Sequence, residues 1–298
     1  MAKIVEFIPN FSEGRRQDII EALAAGATGV AGVTLLDYSS DASHNRSVFT
    51  MIGGPEGIEN AAFNLCKLAS EKIDMRKHRG AHPRVGASDV FPFVPLKETT
   101  MEECVELSRR AAKRIWEELR IPIFLYEYSA AGPERANLAA VRKGEFEGMP
   151  EKLLQDGWAP DYGERKIHPT AGVTVIGARP PLIAFNINLN TGDVGVARAI
   201  AKTIRGSSGG YRYCRAIGVM LAERNLAQVS INMLNFEGTP LYRVFEAVRA
   251  EARRWGVTIA GSELIGLTPA KALADTAEYY LQMENFDYRK QVLENHLT

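Results

Sequence analysis

His78 and His82 share one stretch, His78-Arg79-Gly80-Ala81-His82-Pro83-Arg84-Val85-Gly86, the densest cluster of ionisable chemistry in the chain. An imidazole accepts and donates protons near neutral pH, so either ring suits general acid–base work. Arg76, Lys77, Arg79 and Arg84 surround the pair and suit a carboxylate-bearing substrate. Pro83 confines His82 to extended backbone, and Gly80 and Gly86 permit turns that other residues resist. The same string also reads as a helix end running into a charged surface loop. Composition alone does not choose between the two.

Other chemistry is thinner. The two histidines enclose Gly80, lack the glutamate of an HExxH motif and are followed at once by Pro83, so no metal site is expected there. His44 and His168 lie in polar loops and fit a surface role equally well. Asn186 and Asn188 alternate with Phe185, Ile187 and Leu189, which puts both amides on one strand face, either ligand-facing or solvated. No phosphate-binding GxxxxGK[ST], no dinucleotide GxGxxG after a strand and no GxSxG elbow occurs. Cys66, Cys104 and Cys214 are widely spaced, form no CxxC, and read as small core residues.

The chain has 298 residues with 46% apolar and 24% charged side chains, a balance that suits a soluble globular protein of about two domains. Its 36 acids balance 36 bases, which argues against a broad surface for nucleic acid or anionic membrane. The N-terminus carries an acid inside a short apolar run and reads as a strand rather than a signal peptide; no run is long enough to span a bilayer. A cytoplasmic location is expected.

Hydrophobic periodicity supplies the elements that must position the histidines. Strands are expected at 3–8, 33–38 and 46–52, with helices at 16–27 and 56–73. Residues 89–95 contain Pro92 and Pro95, which places them at a sheet edge or strand end. A long helix over 101–119, a buried strand at 123–126 and short helices over 133–157 follow. The order then restarts, with strands at 182–189, 216–222, 228–234 and 257–260 and helices at 194–204, 241–255 and 269–283. Both halves read strand–helix–strand–strand–helix–strand. The expectation is an α+β protein of two ferredoxin-like (βαββαβ) subdomains, residues 1–178 and 179–298, with a cleft between them.

Five strings resemble the glutamate formimidoyltransferase family: Val5-Glu6-Phe7-Ile8-Pro9-Asn10-Phe11-Ser12-Glu13-Gly14, Ile73 through Arg84, Leu182-Ile183-Ala184-Phe185-Asn186-Ile187-Asn188-Leu189, Asn225-Leu226-Ala227-Gln228-Val229-Ser230, and Gly261-Ser262-Glu263-Leu264-Ile265-Gly266-Leu267. The resemblance covers nearly the whole chain and implies two ferredoxin-like subdomains without the cyclodeaminase that animal members carry. It implies transfer of a formimino group from N-formimino-L-glutamate to tetrahydrofolate, in histidine degradation and one-carbon metabolism. The catalytic histidine falls on His82, and the folate-binding stretch on Gly163, Glu164, Arg165, Lys166, Ile167, His168, Pro169, Thr170, Ala171 and Gly172. Tetrahydrofolate, including polyglutamylated forms, is then a co-substrate, with no metal, and a homodimer is expected. The family's acid after the second strand falls on Asp37 or Asp41.

One imidazole can take the proton lost by the attacking folate nitrogen and return it to the departing glutamate nitrogen. Arg79, Arg84 and Arg179 are candidates for the substrate carboxylates, with Arg165 and Lys166 as further cations. Two alternatives share these residues: formyl transfer between 5-formyltetrahydrofolate and glutamate, and a non-catalytic folate-binding protein.

Overall fold

The structure, a computed structural model, describes residues 2–296. It comprises two compact units that divide between Arg179 and Pro180. The first contains β1 (Val5–Phe7), β2 (Asn10–Phe11), α1 (Gln17–Thr28), β3 (Val33–Asp41), β4 (Arg46–Gly53), α2 (Pro55–Lys72), β5 (Ser88–Pro95), α3 (Met101–Leu119), β6 (Ile123–Leu125), α4 (Pro133–Ala136), α5 (Leu138–Arg142), α6 (Glu145–Lys152) and β7 (Thr174–Ala178). The helices form where apolar side chains recur at helical spacing. In α1 these are Ile19, Ile20, Leu23 and Ala27, all buried. Pro55 opens α2 at a position where its missing N–H costs nothing, and Thr100 with Glu103 closes a capping box on α3.

In the first sheet, β3, β4, β1–β2 and β5 lie side by side and antiparallel, the ferredoxin-like arrangement, and β7 and β6 extend it in parallel beyond β5. Phe7, Phe11, Phe49, Phe91 and Phe93 are fully buried under α1–α3. The other face packs Val90, Phe124 and Val175 beneath Val141 of α5 and Met149 of α6.

The proline-bearing strand is not at an edge. β5 is central, between β1–β2 and β7. Pro92 cannot donate the bond that Ile8 returns to it, since Ile8 N–H donates to the Pro92 carbonyl at 3.2 Å without reciprocation. The Asn10 side-chain amide donates to the Ile8 carbonyl at 2.8 Å and fills that gap. A side chain thus substitutes for the ladder bond that proline removes.

The second unit holds β8 (Ile183–Leu189), α7 (Val194–Ile204), β9 (Cys214–Leu221), β10 (Leu226–Met233), α8 (Leu241–Arg254), β11 (Ile259–Ile265), α9 (Ala270–Leu281) and α10 (Tyr288–Gln291). Its sheet runs β11-β8-β10-β9, all antiparallel, the same ferredoxin-like order. Ile183, Phe185, Ile187 and Leu189 enter the core. β11 runs on to Ile265, past the expected end at residue 260, because Ser262, Glu263, Leu264 and Ile265 continue its pairing with β8. Buried Asn188 accepts from Gln228 and donates to Glu263, each at 2.8 Å, and Arg224 also donates to Glu263.

Among the described residues no helix is long and apolar enough to cross a membrane.

Candidate active site

The histidine loop joins α2 to β5 and is clamped from both sides. Asn45 receives the Gly14 N–H on its Oδ1 at 2.9 Å, and its Nδ2 donates to the Arg79 carbonyl at 3.0 Å. On the other flank Met75 N–H donates to the Thr170 carbonyl and Ala87 N–H to the Ala171 carbonyl. Gly80 and Gly86 are glycines because of close approach, not because of a left-handed backbone. A Cβ on Gly80 would strike the His44 carbonyl, and one on Gly86 the carbonyls of Val173 and Ala171.

The two histidines take different roles. His78 is buried, its Nδ1 accepts from Arg84 Nε at 3.1 Å, and its Nε2 donates to the Asn45 carbonyl at 2.9 Å. Both ring nitrogens are therefore spent on the loop. Burial lowers its pKa, so the ring is neutral. Arg84 is 6% exposed and grips Glu147 in bidentate fashion at 2.7 and 2.8 Å, with Glu145 at 2.5 Å. Its guanidinium is committed to the loop and α6, which removes it from the cations free to meet a carboxylate.

His82 is half-buried and faces charge. Arg46 Nη1 lies 2.9 Å from His82 Nε2. A guanidinium only donates, so Nε2 accepts and the ring proton sits on Nδ1. Burial, then Arg46 and Arg142, push the His82 pKa down to about 3, leaving it a neutral base. Arg46 is itself held by Asn10 Oδ1, which accepts from its Nε at 2.9 Å and also from its Nη2. Desolvation, with the charge of Arg142, lowers the Arg46 pKa to about 10.

Arg142, at the end of α5, pairs with buried Asp89, whose Oδ1 accepts the Val85 N–H at 2.8 Å. The Arg142 Nε is buried with no partner among the described residues, an unmet donor. The α5 backbone is fixed by Lys152, whose ammonium donates to the carbonyls of Val141 at 2.7 Å and Lys143 at 3.1 Å, and to that of Ala140. Arg142 also acts on Tyr126, and Tyr126 is hydrogen-bonded to Arg179. Arg79 is exposed and folds back onto the His78 carbonyl at 2.7 Å.

Asp41 and His44 form a surface pair, Nδ1 to Oδ2 at 2.9 Å, and both line a recess of about 290 Å³ with Ser39, Ser40, Arg46 and Val48. Asp37 is exposed on β3 and does not line it. The 163–172 segment turns back beside the loop. His168 Nδ1 accepts the Ala171 N–H at 3.0 Å, and His168 and Gly172 exchange backbone bonds. Ile167 packs on the core, whereas Glu164, Arg165, Lys166 and Pro169 are exposed. No group of three His, Cys, Asp or Glu side chains is placed to hold a metal among the described residues.

Residues 4–179 match the family described as "Formiminotransferase domain, N-terminal subdomain", and residues 184–295 match "Formiminotransferase domain". The chain belongs to the formiminotransferase family. It is 67% identical over 297 residues to the glutamate formimidoyltransferase of Streptococcus pyogenes serotype M1, covering 100% of this chain and 99% of that one. The glutamate formimidoyltransferase of Thermoplasma acidophilum is 45% identical over 286 residues, covering 95% of this chain and 94% of that one. The formimidoyltransferase-cyclodeaminase of Mus musculus is 44% identical over 291 residues, 95% of this chain but 53% of that protein.

For a formiminotransferase, four of the residues gathered here escaped sequence reasoning: Asn10, Arg46, Asp89 and Arg142. Asn10 lies inside the N-terminal string that carries the family resemblance, yet nothing local marks its amide as the holder of Arg46. Arg142 sits on a five-residue helix without periodicity to flag it.

Proposed function

We propose that this chain transfers the formimino group from N-formimino-L-glutamate to N5 of tetrahydrofolate, giving 5-formimidoyltetrahydrofolate and L-glutamate. The full-length match at 67% identity to a glutamate formimidoyltransferase carries the reaction. The neutral imidazole of His82 beside Arg46 supports the residue. His82 takes the proton that leaves the attacking nitrogen as the tetrahedral intermediate forms. It returns that proton to the glutamate nitrogen as the bond to the transferred carbon breaks. Such proton transfer contributes roughly 10²–10⁴ in rate, with the rest from alignment of the two substrates.

Both substrates are glutamyl-bearing anions. In this reading Arg142, whose buried Nε is unmet, and Arg179 receive carboxylates, together with Arg79. Residues 163–172 contact the folate, supported by their bonds to both flanks of the histidine loop. Asp41, rather than Asp37, is the supporting acid, since it shares the recess with Arg46. A cytoplasmic homodimer acting on folate, polyglutamylated forms included, without metal, nucleic acid or membrane, follows the family resemblance and the balanced charge.

Single-turnover reactions test the donor. Glutamate released from N-formimino-L-glutamate, one per tetrahydrofolate consumed, is expected. Faster formation of N-formylglutamate from 5-formyltetrahydrofolate and glutamate would overturn the donor assignment, and folate binding without turnover of either would overturn the enzyme.

A further inference from the structure

We propose that Arg46 is a positioning residue that latches His82: in the free enzyme its guanidinium occupies the Nε2 lone pair, and a substrate carboxylate draws it away to release that nitrogen. The proposal deepens the function above and rests on His82 being the proton carrier. A base must present a lone pair, and the neutral His82 ring has one, on Nε2, which Arg46 covers at 2.9 Å.

The partners of Arg46 point to a displaceable bond. Arg84 meets two glutamates and Arg135 meets Asp161 at 3.0 Å, whereas the side chain of Arg46 is hydrogen-bonded to a neutral amide and a neutral imidazole. A carboxylate offers it a bond between two full charges, bidentate and stronger than either. The charged and titratable groups that act on His82 are Arg46 from β4, Arg142 from α5, Asp89 from β5 and His44 from the turn before β4; Arg46 touches Nε2, and the His44 ring centroid is 6.2 Å from that of His82. Burial is the first cause of the low His82 pKa and the two arginines add to it, so an anion arriving there offsets the cationic part of what keeps the ring unprotonated.

The anchor is central in the sheet. Asn10 can hold Arg46 because its own amide is pinned to the Ile8 carbonyl that Pro92 leaves unpaired. When a carboxylate takes Arg46, the proton from the attacking nitrogen passes to Nε2, giving an imidazolium with Nδ1–H retained. That proton then passes to the glutamate nitrogen, the ring returns to neutral, and Arg46 recloses on product release.

The experiment uses the full chain with ¹⁵N-labelled histidine, His82 being assigned by its loss in His82→Gln. In free wild type at neutral pH, His82 is expected as the Nδ1–H tautomer with a hydrogen-bonded Nε2. N-formimino-L-glutamate should shift that Nε2 signal away from its Arg46-bonded position. Arg46→Met should do so without ligand and raise carbethoxylation of His82 about tenfold, as loss of one charged hydrogen bond implies. Asn10→Ala, which keeps the charge but frees its anchor, should move both readouts the same way by less, and it decides the matter with the wild-type ligand titration if Arg46→Met does not fold. A wild-type Nε2 signal position and modification rate in folded Arg46→Met, or no ligand-induced shift in wild type, overturns the latch. Turnover of His82→Ala reports separately: normal turnover there removes the catalytic reading and leaves the tautomer measurement standing.

Discussion

Arg84 Nε donates to Nδ1 of His78 at 3.1 Å, and this bond separates the two histidines of the loop. It spends the one free lone pair of His78 and leaves His82 as the ring whose Nε2 meets Arg46 of β4. Arg84→Met should therefore act on stability. It leaves a buried imidazole nitrogen unsatisfied and two glutamates unpaired, a loss of about 1–3 kcal/mol in denaturant unfolding. Unchanged stability with a raised KM for N-formimino-L-glutamate would instead make Arg84 a substrate ligand.

The depressed pKa of His82 has a definite sign. Its folded value of about 3 lies below the ordinary 6.5, so between the two the unfolded chain binds more protons. His82 therefore makes the fold less stable as pH falls through that window. The free enzyme also keeps its base unprotonated there, so the acid limb of kcat/KM should show no histidine step near 6.5. Arg46→Met should bring that step up toward the ordinary value, and coincident profiles for the two proteins would contradict the electrostatic account.

Arg142 supplies a charged fork with one donor unmet. Arg142→Met should raise the KM for N-formimino-L-glutamate by roughly tenfold to a hundredfold, the worth of a charged hydrogen bond. Steady-state kinetics with folate saturating would show it, and an unchanged KM would exclude Arg142 from the carboxylate site. Because Asp89 is buried and loses its partner, the variant should also unfold at lower denaturant.

Lys152 tests the support behind that fork. Its ammonium is buried, serves three carbonyls around Arg142 and stacks over Trp158 at 3.9 Å. Lys152→Met should cost about 1–3 kcal/mol and increase amide exchange across α5. Exchange rates equal to wild type would show that α5 holds without it.

The helices were legible because each buries one stripe, as α1 does with Ile19, Ile20, Leu23 and Ala27. β5 was misplaced because the rule against proline in central strands counts backbone donors alone, and here Asn10 supplies the missing one from a side chain. β11 was cut short because Ser262 and Glu263 hide a strand whose polar face bonds Asn188. In the site, the histidine loop was visible as a cluster in sequence. Asn10, Arg46, Asp89 and Arg142 come from four separate elements and meet only through the sheet, so no local spacing could announce them.

The central claim is that His82 moves the proton in formimino transfer. The direct measurement is kcat of His82→Ala with N-formimino-L-glutamate and tetrahydrofolate, alongside its folate dissociation constant. A fall of roughly 10²–10⁴ in kcat with folate affinity retained is predicted; turnover within a fewfold of wild type would contradict it.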